Sequence, residues 1–134
     1  MCKVYGLSIH GEEKDSTIEP RYFTLRELTF TRQKFDNVPT TFTQVANLRA
    51  LADFLDGVRE ELGRPIFVNS AFRTAEVNAA VHGAVNSLHK KGRAADIWCE
   101  QKSLETLIDI LRKHRTELSE FIVNRDNGYI HIAI

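Results

Sequence analysis

The clearest pattern of apolar and polar positions lies between residues 42 and 62. Thr41 and Gln44, three residues apart, are typical of a capping box that opens a helix. Gly63 follows the last apolar position and is the residue type that most often ends one. The pattern therefore predicts an amphipathic helix, with one stripe of apolar positions three or four residues apart: Val45, Leu48, Leu51, Leu55, Val58 and Leu62.

The rest of the chain predicts shorter elements. Thr74 predicts the start of a short helix that ends before Gly83, and Ser103 predicts the cap of a further helix. Runs of β-branched and aromatic residues predict strands, and Trp98 in one of them is expected to be a core residue. We therefore expect an α+β fold with helices packed on a small, mostly antiparallel sheet, with strands near residues 66–69, 94–99, 120–125 and 129–134.

Asn127-Gly128 separates the last two predicted strands and is typical of a two-residue hairpin turn in which both residues have positive φ. With that turn, Asn124 pairs with His131, and Asp126 lies diagonally to His131 on the same face of the hairpin. The sequence thus predicts polar side chains gathered on one face at the end of the chain.

Length and charge narrow the class of protein. The 134 residues suit one domain, which we assign to residues 22–134, with residues 1–21 as an N-terminal arm or loop. Lys and Arg together number 18, and so do Asp and Glu, so the formal net charge is zero. The sequence therefore has no excess of positive charge that would predict a nucleic-acid partner. No apolar run predicts a membrane span or secretion signal, so we expect a protein that is cytoplasmic as synthesised unless another factor releases it.

Candidate chemistry lies in residues 87–96, where His89 stands in a glycine-containing loop and Asp96 follows on a predicted strand. His131 lies on the last predicted strand. Imidazole and carboxylate groups suit Zn²⁺, and three protein ligands leave a fourth position for water. By spacing alone, a chance arrangement among the five histidines is the alternative.

Residues 22–134 resemble a known family, the zinc D-alanyl-D-alanine carboxypeptidases and the phage L-alanyl-D-glutamate endopeptidases. The most specific part is Ser-x-His-x-x-Gly-x-Ala-x-Asp over residues 87–96, and residues 22–28, 63–73 and 129–132 add to it. Members are hydrolases of peptidoglycan peptides, and their metal site resembles that of the hedgehog signalling domain. The resemblance implies a hedgehog-like α+β fold and a Zn²⁺ cofactor.

The resemblance also implies roles for individual residues. His89, Asp96 and His131 correspond to the zinc ligands of the family. Arg73 corresponds to an arginine that faces the substrate, where it can stabilise an oxyanion or bind a carboxylate. Ser87 corresponds to a substrate-contacting position. The alternatives are a surface arginine at Arg73 and, at Ser87, a loop hydroxyl that satisfies nearby backbone groups.

One position departs from the family pattern. Relatives often carry an acidic residue three positions before the last ligand, where this chain has Gly128. Asp126, diagonal to His131 in the predicted hairpin, is our candidate for the general base, and the alternative is a turn-forming role. Glu120 shares the face by alternation but lies further along the strand.

We therefore expect a zinc peptidase of phage or bacterial origin that cleaves peptidoglycan stem peptides, without a nucleic-acid or membrane partner. The resemblance to phage enzymes also implies that another factor releases it to the cell wall at lysis. The first alternative is a non-catalytic homologue that binds metal and cell-wall peptide. The second alternative is a structural zinc domain that mediates protein contacts.

Overall fold

The computed structural model describes residues 22–134, so the predicted arm over residues 1–21 lies outside the described residues. None of the helices described there is long and apolar enough to cross a membrane. The described part forms helices and strands in this order: α1 Leu25–Leu28, α2 Phe42–Leu62, β1 Phe67–Ser70, α3 Ala75–Ala80, β2 Ala94–Trp98, α4 Leu104–Lys113, β3 Glu120–Asn124 and β4 Tyr129–Ala133.

Helix α2 is the central support of the fold. Its predicted capping box is present, with Gln44 N–H donating to the Thr41 hydroxyl, and Gly63 ends it at φ 70°. Leu48, Leu51, Leu55 and Val58 of its apolar stripe belong to the buried core that α4 and the sheet share, and Leu62 packs against that core partly buried. Asp56 on the same helix accepts hydrogen bonds from the backbone N–H groups of Tyr22 and Phe23, which anchors the segment before α1.

The sheet has four strands in the order β1-β2-β4-β3, and every neighbouring pair is antiparallel. Because side chains alternate along a strand, Ile97, Ile130 and Ile132 face the helices and are fully buried. Asp96 and His131 are register partners on β2 and β4 and point to the opposite, open face. The predicted α+β fold is confirmed.

The last hairpin differs from the predicted register by two residues. A four-residue loop, residues 125–128, joins β3 to β4. Asn124 lies opposite Tyr129, and Ile122 lies opposite His131. The predicted pairing of Asn124 with His131 is therefore wrong.

Hydrogen bonds that Asn124 accepts explain the longer loop. Its side-chain oxygen accepts from the N–H of Asn127 at 3.0 Å, and its backbone carbonyl accepts from the N–H of Gly128 at 2.9 Å. Gly128 has φ 75°, and Asn127 is not among the residues with positive φ, whereas the predicted two-residue turn needs both. Asp126 consequently lies in an exposed loop, and the pairing that placed it on the face of His131 is wrong.

Two local expectations also differ from the structure. Ser103 stands at the start of α4, but its side chain makes no capping hydrogen bond, because a 3₁₀ turn at Gln101–Ser103 leads directly into the helix. Trp98 is 38% exposed rather than a core residue, since it lies on the open face of β2. There its ring stacks on Phe67 with the centroids 4.5 Å apart.

Candidate metal centre

Three side chains from separate elements meet on the open face of the sheet. His89 lies on a 3₁₀ turn, Leu88–Lys91, while Asp96 and His131 lie on the paired strands β2 and β4. One ligand atom from each residue lies within 4.8 Å of the others. The structure thus brings together all three side chains that the sequence singled out as metal ligands.

The donor set and its spacing fit Zn²⁺. Asp96 Oδ1 lies 2.8 Å from His131 Nδ1 and 3.4 Å from His89 Nε2. Ligands of a tetrahedral zinc ion at about 2.0–2.2 Å lie about 3.3–3.6 Å from one another, so small side-chain movements would suffice. Two imidazoles and one carboxylate also leave a coordination position open, as in catalytic zinc sites.

The turn that carries His89 is held at both ends. The Ser87 hydroxyl accepts a hydrogen bond from the His89 N–H at 3.1 Å, and Gly92 ends the turn at φ 77°. A Cβ at Gly92 would lie only 2.8 Å from the Gln44 carbonyl oxygen in α2, so this close approach requires glycine. The Ser87 hydroxyl therefore satisfies a nearby backbone N–H, which is the alternative role considered for it. A contact between Ser87 and substrate stays a prediction.

Each histidine ring has a hydrogen-bond acceptor on the side away from the cluster. His89 Nδ1 lies 2.7 Å from the Ala71 carbonyl oxygen, and His131 Nε2 lies 2.7 Å from Glu120 Oε1. A carbonyl or carboxylate oxygen accepts, so these outward nitrogens would carry the N–H of the neutral rings when a metal ion is bound. The remaining nitrogens, His89 Nε2 and His131 Nδ1, are then free to act as ligands beside Asp96.

Arg73 lies next to Asp96 and is fixed by two further side chains. Its Nη2 lies 3.5 Å from Asp96 Oδ2, while its Nε donates to the Ser70 hydroxyl and its Nη1 to the Asn78 side-chain oxygen, both at 3.1 Å. The Arg73 side chain is only 13% exposed. The alternative of a surface arginine is therefore wrong, and the guanidinium forms part of the wall of the site.

The charges of the metal-free site are strongly coupled. Burial on its own would raise the pKa of Asp96, but hydrogen bonds from His131 and His89 outweigh burial and hold that pKa well below its ordinary value. The hydrogen bond to Asp96 raises the pKa of His131, against the effect of burial. The ionised Asp96 carboxylate thus gives the site a negative charge, which favours a cation such as the protonated His131 ring or a metal ion.

Acidic side chains around the site are distributed differently from the prediction. Asp126 is exposed in the hairpin loop, and the candidate metal cluster found among residues 22–134 contains no other carboxylate than that of Asp96. Glu120, which we expected to lie too far along the strand, contacts His131 instead. Alternation correctly placed Glu120 on this face, and only the register of the hairpin brought it near.

Apolar side chains border the ligands on the open face. Phe67 and Trp98 lie one row along the sheet from Asp96, and Ile122 lies directly beside His131 on β3. Ile122 is 57% exposed, although it is a large hydrophobic residue. The ligands therefore lie at the base of a mixed polar and apolar surface that a peptide chain can cover.

Together, an α+β fold and a His-Asp-His cluster beside a half-buried arginine define a class of domain with a candidate metal site. The sequence profile described as Peptidase M15 matches residues 21–133. The chain therefore belongs to the peptidase M15 family, which confirms the family predicted from the sequence.

A curated relative is the zinc D-Ala-D-Ala carboxypeptidase of Streptomyces albus G. It is 30% identical over 134 residues, which cover 98% of this chain and 50% of the relative. The chain thus spans about half the length of the curated relative it matches.

Proposed function

We propose that this domain is a zinc-dependent peptidase that hydrolyses peptidoglycan stem peptides, with His89, Asp96 and His131 as the zinc ligands. The observation that carries the proposal is the convergence of these three side chains within 4.8 Å on an open sheet face. The family assignment and the name of the Streptomyces relative support zinc as the metal and the D-Ala-D-Ala class of peptide as substrate.

When bound, Zn²⁺ supplies Lewis-acid activation of a carbonyl group and of water at this site. The chain itself supplies orientation and charge. Ser70 and Asn78 hold the guanidinium of Arg73 beside Asp96, and the 3.5 Å contact from Nη2 to Asp96 is the longest of the three that Arg73 makes. Nη2 is therefore the donor best able to turn toward a developing oxyanion or a substrate carboxylate.

The open face suits a short peptide with small side chains. The stacked pair of Phe67 and Trp98 and the exposed Ile122 offer apolar contacts on two sides of the ligands. If Arg73 binds a substrate carboxylate, the activity would be that of a D-Ala-D-Ala carboxypeptidase, in which the substrate ends near the metal. If Arg73 instead stabilises an oxyanion, an L-Ala-D-Glu endopeptidase is equally compatible with the site, and the two activities differ in the bond that is cut.

A second candidate function is a non-catalytic domain that binds metal and cell-wall peptide. The observation that favours it is that, among residues 22–134, neither Gly128, which has no side chain, nor Asp126, which lies in the exposed loop, places a general base at the cluster. Metal-assisted peptide hydrolysis needs a group that accepts a proton from water.

Mass spectrometry of muropeptides incubated with the zinc-loaded protein separates these functions. We expect metal-dependent products whose masses identify the bond, and no products with a chelator or with the His89→Ala variant. The matched control is His114→Ala, because His114 pairs with Glu61 and Glu117 far from the cluster and should not affect zinc. Peptide binding without cleavage, with zinc bound stoichiometrically, would replace the peptidase by the binding domain.

A further inference from the structure

The ring of His131 is held between two carboxylates. Its Nδ1 lies 2.8 Å from Asp96 Oδ1, on the side of the metal ligands, and its Nε2 lies 2.7 Å from Glu120 Oε1, on the opposite side. Glu120 pairs with Ala133, so it is a diagonal neighbour of His131 across the two strands, at a separation that a long side chain spans.

This arrangement selects the form of His131 that can bind a metal ion. Coordination through Nδ1 requires a lone pair on that atom, so the single N–H of the neutral ring must be on Nε2. The Glu120 carboxylate accepts that hydrogen and also fixes the orientation of the ring. Such an acceptor raises the basicity of the ligating nitrogen and strengthens the metal site.

The two histidines depend on different kinds of support. His89 donates to the backbone carbonyl of Ala71, and its ring is almost completely buried, so both its tautomer and its position follow from the fold. His131 is more exposed and has its acceptor on a side chain. The Glu120 side chain is itself 43% exposed, so its removal leaves no buried cavity that would destabilise the core.

We infer that Glu120 is a positioning residue for the metal, because it accepts the Nε2 hydrogen of His131 and thereby directs Nδ1 to the ion. Glu120 acts through His131 and does not itself contact the metal or the substrate. This inference rests on the proposed zinc site and deepens it.

Zinc affinity tests this role, measured by competition with a chromophoric chelator. Glu120→Ala should weaken binding about 10–100-fold. Glu120→Gln keeps an oxygen that accepts from Nε2 and should restore most of that loss. The matched control is Glu100→Ala, which removes a similarly exposed carboxylate whose ion pair with Lys102 spans 4.0 Å. Unfolding of all variants in chelator should stay close to that of the wild type.

Equal affinities of Glu120→Ala and the wild type would overturn the inference while leaving the zinc site intact. A wild-type protein that fails to bind zinc stoichiometrically would instead refute the proposed site. If Glu120→Ala fails to fold, the ¹⁵N spectrum of the zinc-loaded wild type decides the question. We expect it to show a protected Nε2 hydrogen on His131. A freely exchanging Nε2 hydrogen would contradict the role of Glu120.

Discussion

Gly83 lies against the side chains of Asn78 and Arg73, and replacing it by alanine should disturb the site without touching a metal ligand. A Cβ at this position would lie 2.0 Å from Asn78 Oδ1 and 2.9 Å from Arg73 Nη1. Asn78 is only 3% exposed, and its amide donates to the Ala84 carbonyl at 2.8 Å. The Asn78 side chain therefore cannot move aside without losing hydrogen bonds on both of its ends.

The expected cost follows from those two bonds. The bond from Asn78 to the Ala84 carbonyl is between neutral groups and contributes about 0.5–1.5 kcal/mol, while the bond from the charged Arg73 contributes about 1.5–3 kcal/mol. We expect Gly83→Ala to lower the free energy of unfolding by about 2–4 kcal/mol. Because Arg73 loses one of its two anchors, turnover should also fall, and a displacement near 1 Å can cost about 10²-fold.

Urea unfolding in the presence of chelator measures the first effect, and steady-state cleavage of muropeptides measures the second. Gly57→Ala is the matched control, since Gly57 lies in α2 with no atom within 4 Å of the added Cβ. That variant should be more stable by about 0.5–1 kcal/mol and fully active, because alanine is the better helix former. An unfolding midpoint and turnover equal to wild type in Gly83→Ala would refute the role of this contact.

Three further predictions concern the hairpin loop, the His89 turn and the charged ligands. Asp126→Asn should leave zinc content and muropeptide turnover unchanged, because the Asp126 side chain lies in an exposed loop. A loss of about 10²–10⁴-fold in turnover would instead identify Asp126 as the general base. Gly92→Ala should lower the free energy of unfolding by about 1–3 kcal/mol, since Gly92 has φ 77° and the new Cβ would lie only 2.8 Å from the Gln44 carbonyl oxygen. An unchanged midpoint of urea unfolding would contradict this expectation. In the metal-free protein the raised pKa of His131 means that its stabilisation is complete below pH 6.5 and is lost as pH rises through the folded-state pKa. Unfolding in chelator between about pH 6 and 9 should show this decline, and a His131→Gln variant with the same decline would exclude His131 as its source.

Local signals in the sequence were sufficient for much of this protein. The Thr41 and Gln44 capping box, the apolar stripe and Gly63 together defined α2 to the residue, because these interactions span only a few positions along one helix. Alternation along the last hairpin placed Glu120 on the face of His131, since side-chain direction in a strand has a period of two. The spacing within residues 87–96, with its resemblance to a known family, indicated the metal-ligand candidates.

The register of the last hairpin, in contrast, was decided only in the tertiary structure. A shift of two residues keeps every side chain on the same face, so the hydrophobic pattern that excludes a one-residue slip cannot detect it. Hydrogen bonds that Asn124 accepts from Asn127 and Gly128 selected the longer turn, and that choice moved Asp126 to the exposed loop and brought Glu120 to His131. Sequence periodicity thus determined which face each residue occupies, while hydrogen bonding and packing between strands determined which residues on that face meet.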